Sequence, residues 1–460
     1  MRAAKNLSYW LASLVAGSLL FVAASSHAQS TVGEVEFSRG VGFAQTPGET
    51  PRTLGKGLPL REGDRLTTSE GASAIIKLAD GTRMTVRPNS ELVLQQYQFH
   101  ENAPDNSYLM QLVRGGFRAV TGLISKSSPN AARVQTNTAT IGIRGTDFDA
   151  RVCTGECAQE SSQITEAARP NAIQASAKVV TVQGDLFAVD GAGTRRRLVA
   201  GGSVYPGDVI ETARGGQAVL AFRDDSRITL GSQTRFRVDN FVYDDKNAGE
   251  GRFLASILRG SVRALTGLIA KSNQRNVGFS TATATIGIRG TGFDVVCSGA
   301  CAGEPGDPNA GLTLWTWLGA IEVGQTGQTA LQVLQAGQGL FIPANGVTQP
   351  ISNQPNLGTP RPDEVPVPAK LFATADVPDA AEGLFVFVRD GHIEITSARD
   401  VLELGRGEAG WAGPTGETAR PTLVPKFIEF DRIPLPTSRN PLLATVLGES
   451  GLRNASQVCK

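Results

Sequence analysis

The chain has 460 residues, enough for about two to four domains that each bury a core of their own. Its 44 basic and 43 acidic residues almost cancel, which excludes the strongly basic surface of a nucleic-acid binder and a polybasic membrane arm. The 53 glycines, 24 prolines and short apolar runs favour a many-stranded, all-β protein over a helical one.

Residues 1–28 have the pattern of a secretory signal peptide. A basic start, Arg2 and Lys5, precedes an apolar run over 10–24, and Ser26-His27-Ala28 is a small-x-small cleavage site. We therefore expect cleavage after Ala28 and a periplasmic or secreted mature protein. A retained membrane anchor is the alternative, but the run is short for a span of about 20 residues.

A domain-sized unit then occurs twice. The segment Thr138–Thr146, with the sequence TATIGIRGT, reappears without a change as Thr283–Thr291, and weaker matches continue upstream of both copies. We predict a first repeat at 29–178 and a second at 179–345. Because the apolar positions stay apolar while their neighbours vary, each repeat is expected to fold round its own core.

Within the first repeat, the pattern predicts a meander of short strands. Ala74, Ile76 and Leu78 alternate with their neighbours, Ala79-Asp80-Gly81 is a hairpin turn signal, and a second alternating run begins at Met84. Residues two apart share one face of a strand, so these apolar side chains should face one core. The predicted architecture of each repeat is a β-sandwich or β-roll of jelly-roll type.

Four of the five cysteines form two Cys-x-x-x-Cys pairs at equivalent points, Cys153 with Cys157 and Cys297 with Cys301. In an oxidising compartment we expect one local disulfide in each repeat, closing a ring so small that its entropic contribution is modest. A metal site would need the two pairs to converge, since two thiolates do not complete a zinc shell. A redox pair normally has two intervening residues. Cys459 remains as a free or intermolecular thiol.

The chain after the second repeat divides into two parts. Residues 346–368 have the Pro-, Gly- and Asn-rich composition of a linker, and 369–460 are predicted to form a small β-rich C-terminal region. A short hairpin pattern, roughly Gly-x-Ile/Leu-x-Val, begins at Gly184, Gly319 and Gly391. From its first copy we expect the two repeats to abut directly and to share a sheet edge.

The repeated segment allows two chemical interpretations. The two glycines that flank Arg144 would form a backbone nest in which the guanidinium takes an anion. Alternatively, Arg144 and Arg289 make structural ion pairs or cap carbonyls where a strand turns, and this is the interpretation we favour. Any shared role also involves Asp149 and Asp294, which are equivalent in the two repeats.

No catalytic signature accompanies these features. The sequence contains no Ser-x-x-Lys, Gly-x-Ser-x-Gly, His-Glu-x-x-His or Walker-type loop, and its only histidines outside the leader are His100 and His392. Trp315 and Trp317 have the spacing to stack a sugar ring, although such pairs more often belong to a core or an interface. We predict no enzymatic activity, no metal and no cofactor.

Several motifs resemble the FecR-type periplasmic domain. They are Gly63–Thr68, Ala79–Thr82, Arg87–Ser90, Leu112–Gly116, and the Arg-Gly-Thr-x-Phe element formed by Arg144, Gly145, Thr146 and Phe148. The second repeat resembles the family again, with the same element at Arg289, Gly290, Thr291 and Phe293. This resemblance implies a compact all-β periplasmic module without enzymatic activity.

Signalling members of that family relay a signal from an outer-membrane siderophore receptor to a sigma factor. This chain has a cleavable leader where those members carry a cytoplasmic sigma-binding segment and a membrane span, so it is more similar to secreted, stand-alone FecR-domain proteins. We expect a non-catalytic protein that binds a protein or glycan of the cell envelope. The alternative is a signalling accessory of metal or siderophore uptake.

Overall fold

The computed structural model describes residues 31–127, 131–304, 310–343 and 347–437. The predicted leader, its cleavage site after Ala28, and Cys459 lie outside these residues. The described chain consists mostly of β-strands with only short helices, which confirms the all-β class.

The strands before residue 155 are β1 (Thr31–Arg39), β2 (Gly42–Gln45), β3 (Arg52–Thr53), β4 (Pro59–Arg61), β5 (Arg65–Thr68), β6 (Ser73–Leu78), β7 (Arg83–Val86), β8 (Glu91–Gln98), β9 (Ser107–Val120), β10 (Ala132–Gln135) and β11 (Ala139–Cys153). Those of the middle of the chain are β12 (Ala177–Gln183), β13 (Leu186–Val189), β14 (Arg195–Leu198), β15 (Ser203–Val204), β16 (Val209–Thr212), β17 (Gln217–Phe222), β18 (Arg227–Leu230), β19 (Arg235–Val242), β20 (Arg252–Leu265), β21 (Val277–Ser280), β22 (Ala284–Cys297), β23 (Gly311–Gln325), β24 (Leu331–Gln335), β25 (Gln338–Pro343) and β26 (Gln349–Ile351).

The last strands are β27 (Gly383–Ser397), β28 (Val401–Leu404), β29 (Ala409–Ala412) and β30 (Thr418–Ala419). The α-helices are α1 (Ile124–Ser127), α2 (Glu156–Ser162), α3 (Leu268–Ser272) and α4 (Lys426–Glu429), and single 3₁₀ turns lie at Ala248–Glu250, Gln274–Asn276 and Gly299–Ala302.

These strands form two 15-stranded sheets of the same topology. Module 1 consists of β1–β11 with β27–β30, and module 2 consists of β12–β26. Each is one branched sheet that closes round its own apolar core, so it is closer to a roll than to a sandwich of two separate sheets. The predicted meander is confirmed, because Ala74, Ile76, Leu78 and Met84 all lie in the core of module 1.

Module 2 is inserted into module 1. Strand β11 pairs along its length with β27, which follows the whole of module 2 in the sequence, just as β22 pairs with β23 inside module 2. The two segments that connect module 1 with module 2 lie side by side. The amide of Asn171, in the first connection, donates to the carbonyl of Thr422, and the amide of Thr422 donates to the carbonyl of Ala375, in the second, both at 2.9 Å. Module 1 is therefore completed only by the C-terminal part of the chain.

This arrangement differs from the tandem order expected from the sequence. The region predicted as a separate C-terminal unit from 369 onward supplies the last four strands of module 1, and the hairpin pattern at Gly391 is the counterpart of the one at Gly319. The pattern at Gly184 begins module 2 and does not end module 1. The expected shared sheet edge was also wrong, because the two sheets are separate. Local hairpin signals do not specify which distant edge a hairpin joins.

The predicted linker packs on the outer surface of module 2. Gln354 Nε2 donates to an Asp294 carboxylate oxygen at 2.7 Å, and Arg263 Nη1 donates to the carbonyl of Thr359 at 2.9 Å. Leu371 then packs against Val180. We call residues 352–372 strap 2, because they cover this surface of module 2.

A second segment covers the corresponding surface of module 1. Phe427 and Ile428, on α4, pack against Phe385 of β27, and Thr85 Oγ1 donates to the carbonyl of Pro434 at 2.8 Å. We call residues 424–437 strap 1. Each module thus has an outer face closed by the chain that follows its last strand.

A buried ionic group joins the modules. Lys178 of β12 and Arg420, just after β30, both contact one oxygen of Glu408, at 2.9 and 2.8 Å, and all three side chains are fully buried. Burial lowers the pKa of Lys178 to about 8. Burial alone would raise the pKa of Glu408, but the adjacent Lys178 and Arg420 charges hold it below its usual value. Because an unpaired charge at this depth would be strongly unfavourable, the group fixes the orientation of the modules.

The junction continues on the surface around Tyr205. The Tyr205 hydroxyl accepts a hydrogen bond from the amide of Arg406 at 2.8 Å, and the Arg406 guanidinium lies 4.5 Å from the centre of the Tyr205 ring. Lys178 Nζ and Arg420 Nη2 also donate to the carbonyl of Glu403 on β28, at 3.0 and 2.8 Å. The outer edge of β28 is therefore occupied by contacts at the junction.

The insertion predicts that module 1 depends on β27. Residues Leu384, Val386, Val388, Ile393 and Ile395 are each 0% exposed, and at about 1.5–3 kcal/mol each their burial is comparable to the whole stability of a domain. We expect residues 31–163 alone to aggregate or to unfold without cooperativity, whereas residues 175–372 unfold cooperatively in circular dichroism.

The matched control joins the halves of module 1 directly. Replacing residues 173–373 by a short Gly/Ser linker should restore cooperative folding, because the connections at Asn171 and Ala375 flank Thr422. A folded, monomeric 31–163 fragment would contradict the dependence on β27.

Candidate functional site

The repeated segment lies on a β-bulge in both modules. The pairing of β11 with β27 shifts register between Arg144 and Phe148, and Gly145 has a φ of 57°; its counterpart Gly290 in β22 has a φ of 69°. A Cβ atom on Gly391, opposite this bulge, would lie 2.2 Å from the carbonyl oxygen of Gly145. Such φ values and this close approach favour glycine, so the glycines of the motif have a structural cause.

The threonine of the motif closes the bulge with two hydrogen bonds. Thr146 Oγ1 donates to the carbonyl of His392 at 3.0 Å, and the Thr146 amide donates to Thr121 Oγ1 at 2.8 Å. In module 2, Thr291 makes the same contacts with Ala320 and Thr266, at 2.6 and 3.0 Å. The bulge is thereby tied to two neighbouring strands.

The phenylalanine and the arginine of the motif point to opposite faces. Phe148 and Phe293 are fully buried in their cores. Arg144 Nη2 donates to Glu394 of β27 at 3.0 Å, and Arg289 pairs with Glu322 of β23. These cross-strand pairs support the structural interpretation. Arg144 Nε and Nη1 have no protein partner among the described residues, so the anion-nest interpretation stays a prediction.

The shared aspartates form buried ion pairs, and the one in module 2 also bonds to its strap. Asp294 is fully buried and accepts from Arg263 Nε and Nη2 at 2.8 and 3.0 Å, while strap 2 adds the bond from Gln354. Asp149, 1% exposed, accepts from Arg389 Nε at 2.7 Å. Both carboxylates are committed to ion pairs beneath a covering segment, so neither is placed to react with a substrate.

Trp315 and Trp317 are not accessible for stacking against a sugar ring. Trp315 is 8% exposed, and Trp317 Nε1 donates to Asp294 at 3.2 Å. The Arg361 guanidinium of strap 2 lies 4.2 Å from the centre of the Trp317 ring. Trp317 therefore belongs to the interface between module 2 and its strap, and Trp315 is buried.

Both expected disulfides are present. Cys153 is bonded to Cys157, and Cys297 to Cys301. Within the described residues, Cys153, Glu156 and Cys157 are the one cluster whose composition would suit a metal, but both sulfurs are in the disulfide. The thiolates that a metal requires are therefore missing.

An open cleft lies on the outer surface of module 2, where sequence reasoning predicted nothing. Its volume is about 410 Å³, and its lining includes Leu254, Gly278, Gly287, Gly324 and Leu331. Charged side chains at its rim are Asp239, Arg275 and Glu322. On the adjoining edge strand β24, Leu331 and Val333 are 65% and 41% exposed.

The equivalent place in module 1 carries larger and charged side chains. Register places Arg133 where module 2 has Gly278, and Glu403 where it has Val333. The Glu403 side chain bonds to His392 Nε2 at 2.6 Å and lies against Gly201 of module 2. The same surface is thus occupied in module 1 and open in module 2.

The fold and these sites define an all-β protein built from two copies of one module, in which the shared aspartates form buried ion pairs. The FecR protein family model matches residues 64–165 and 208–303, one segment in each module. This confirms the resemblance found in the sequence, with one matched segment in each module. The matched segments end before β23 and β27, so the closing strands of each module lie outside them.

Other comparisons add little. Two crystal structures, at 1.65 and 2.50 Å resolution, of a Parabacteroides distasonis protein provisionally described as an anti-sigma factor share 16% identity with this chain. The match covers 31% of this chain and 59% of theirs, and its TM-score of 0.24 is too low to carry an argument. No curated protein is significantly similar. Among the described residues, no helix has the length and apolar character to cross a membrane.

The two arginines of the motif should differ in their effect on stability. Arg144 is 15% exposed and Arg289 is 52% exposed, each paired with a glutamate. Arg144→Ala should lower the free energy of unfolding by about 1–3 kcal/mol, as for a largely buried charged hydrogen bond. Arg289→Ala should cost less than about 1 kcal/mol. Urea unfolding of both variants provides the comparison, and an equal or larger effect of Arg289→Ala would contradict this account.

Proposed function

We propose that this protein is a non-catalytic scaffold of the cell envelope whose module 2 binds a segment of a partner protein. The observation that carries the proposal is the open cleft beside β24, at the place where module 1 is occupied by its contact with module 2. The buried group around Glu408 supports a fixed arrangement of the two modules, which suits a scaffold.

The chemistry of the cleft favours an extended peptide over a sugar. The strand β24 pairs only with β23 among the described strands, so its other edge offers backbone groups to an added strand. Leu331 and Val333 would receive apolar side chains, while Glu322 and Arg275 at the rim would select charged ones. Exposed apolar groups next to a free strand edge are typical of such binding surfaces.

The proposal includes a periplasmic or secreted location. The pattern of residues 1–28 supports it, and so do the two disulfides, which form and persist in oxidising compartments. A glycan of the cell wall is the other possible partner class, for which the closed Trp315 and Trp317 pair gives no support.

Val333→Glu tests the cleft, because it introduces the residue that module 1 has at the equivalent place, Glu403. Protein from Gln29 onward is cross-linked in envelope extract, and the captured proteins are identified by mass spectrometry. We expect Val333→Glu to abolish capture of the partner seen with the wild type, since docking would bury an unpaired carboxylate.

The control is Val41→Glu, the same substitution at a 55% exposed valine of module 1. Both variants are first shown to unfold at the wild-type temperature. Capture that is the same for wild type and Val333→Glu would place the contact elsewhere and refute the cleft. Turnover of a wall glycan by the purified protein would refute the non-catalytic role.

A second candidate is a signalling accessory of metal or siderophore uptake, which the FecR match favours. Deletion of the gene should then change the transcription of iron-uptake genes under iron limitation, and complementation should restore it. An unchanged transcriptome would contradict this candidate and leave the scaffold proposal intact.

A further inference from the structure

An arginine-rich lane, none of whose residues lines the cleft, crosses the surface of module 2. Neighbouring strands place Arg197 beside Phe187, Phe187 beside Glu211, Glu211 beside Arg235, and Arg235 beside Arg259. The lane thus runs from β14 through β13, β16 and β19 to β20.

The lane contains a cavity of about 270 Å³. Its charged lining residues are Arg195, Arg214, Arg235, Arg259 and Glu211, and Phe187 forms part of its wall. Four guanidinium groups therefore face a small concave volume that holds a single carboxylate.

The charges in the cavity are only partly balanced. Glu211 lies 3.1 Å from Arg235 Nε and 3.6 Å from Arg195 Nε, and Glu304 outside the cavity pairs with Arg259. Arg214 is exposed and has no partner among the residues that the structure describes. With Glu211 and Glu304 against four arginines, a surplus of about two positive charges remains.

Module 1 shows that the fold does not need this surplus. The positions of Arg214 and Arg235 are occupied there by Glu70 and Glu91, in the same turn and at the same strand register. Pro51 stands in place of Arg195, and only the counterpart of Arg259, Arg114, is retained. The charge of two positions is thus reversed between modules that share one architecture.

We propose that this cavity binds the phosphate group of a small soluble phosphomonoester. Guanidinium forks bind phosphate oxygens with paired, charge-assisted hydrogen bonds. A phosphomonoester carries about −1.5 to −2 charges at pH 7, which matches the surplus of the cavity. The small volume favours a compact ligand over a polymer, and the site is independent of the partner proposed for the cleft.

The test is calorimetric titration of the chain from Gln29 onward with glucose 1-phosphate at low ionic strength. We expect binding of this probe and of inorganic phosphate, and none of glucose. Affinity should fall as salt is added, because the charges are exposed. It should also fall below about pH 6, where the phosphate loses its second charge while the arginines stay charged.

The variants Arg214→Glu and Arg235→Glu each copy the residue of module 1. Each should weaken glucose 1-phosphate binding at least about tenfold, because an attractive charge becomes repulsive. The control is Arg252→Glu, an exposed arginine on the same strand as Arg259 but roughly 20 Å along it, which should bind like the wild type. Thermal unfolding confirms that all three variants fold.

Three outcomes would overturn the proposal. They are the absence of binding at millimolar probe, retained affinity in both folded Glu variants, and an equal loss in Arg252→Glu. Binding only to phosphatidylcholine vesicles that contain phosphatidic acid would likewise refute a soluble ligand and assign the lane to a lipid surface.

Discussion

The pairing of β11 with β27 is the contact on which the rest of the structure depends. A strand as long as β11 with an open edge would expose backbone donors and acceptors together with one side of the core. Strand β27 covers that edge, carries β28–β30 into place, and sets the path of strap 1, whose Asp431 pairs with Arg87. Module 2 satisfies the same requirement with β23, which lies directly after β22 in its own sequence.

The insertion also explains why charge is buried between the modules. Lys178 belongs to the first strand of module 2, whereas Glu408 and Arg420 belong to the last part of module 1. Apolar residues of similar size would give equal or greater stability, but an ionic group tolerates only one geometry. The buried ionic group therefore specifies the orientation in which the two modules pack together. With the orientation set, the two modules present unlike surfaces, and the cleft and the arginine lane occur on module 2.

Much of the fold could be read from the sequence, because its signals are local. Alternation at Ala74, Ile76 and Leu78, the turn at Asp80 and the spacing of the cysteines each specify a contact within a few residues. The structural role of the motif at Arg144 could also be predicted, because glycines on either side of an arginine indicate a backbone conformation or a close approach that only glycine allows. The insertion of module 2 into module 1 could not be predicted from the sequence. Nothing in the sequence of β27 shows whether it pairs with β11 or belongs to a separate C-terminal sheet.

The sites were harder to predict for a related reason. The cleft depends on glycines of three strands coming together, and the arginine lane on a register that links five strands. The sequence did contain one usable signal, the change from Glu70 and Glu91 to Arg214 and Arg235 between otherwise similar repeats. Such differences within one chain mark surfaces on which the copies have diverged.

The nested order has a consequence for biosynthesis. As the chain emerges from its amino end, module 2 has all of its strands once residue 351 is available, whereas module 1 waits for Gly383 although its first strands appeared long before. At about 5–20 residues per second, the interval between Cys153 and Gly383 corresponds to roughly 10–50 s. During this time the edge of β11 is unprotected, and holdase chaperones have their longest opportunity to engage the nascent protein there.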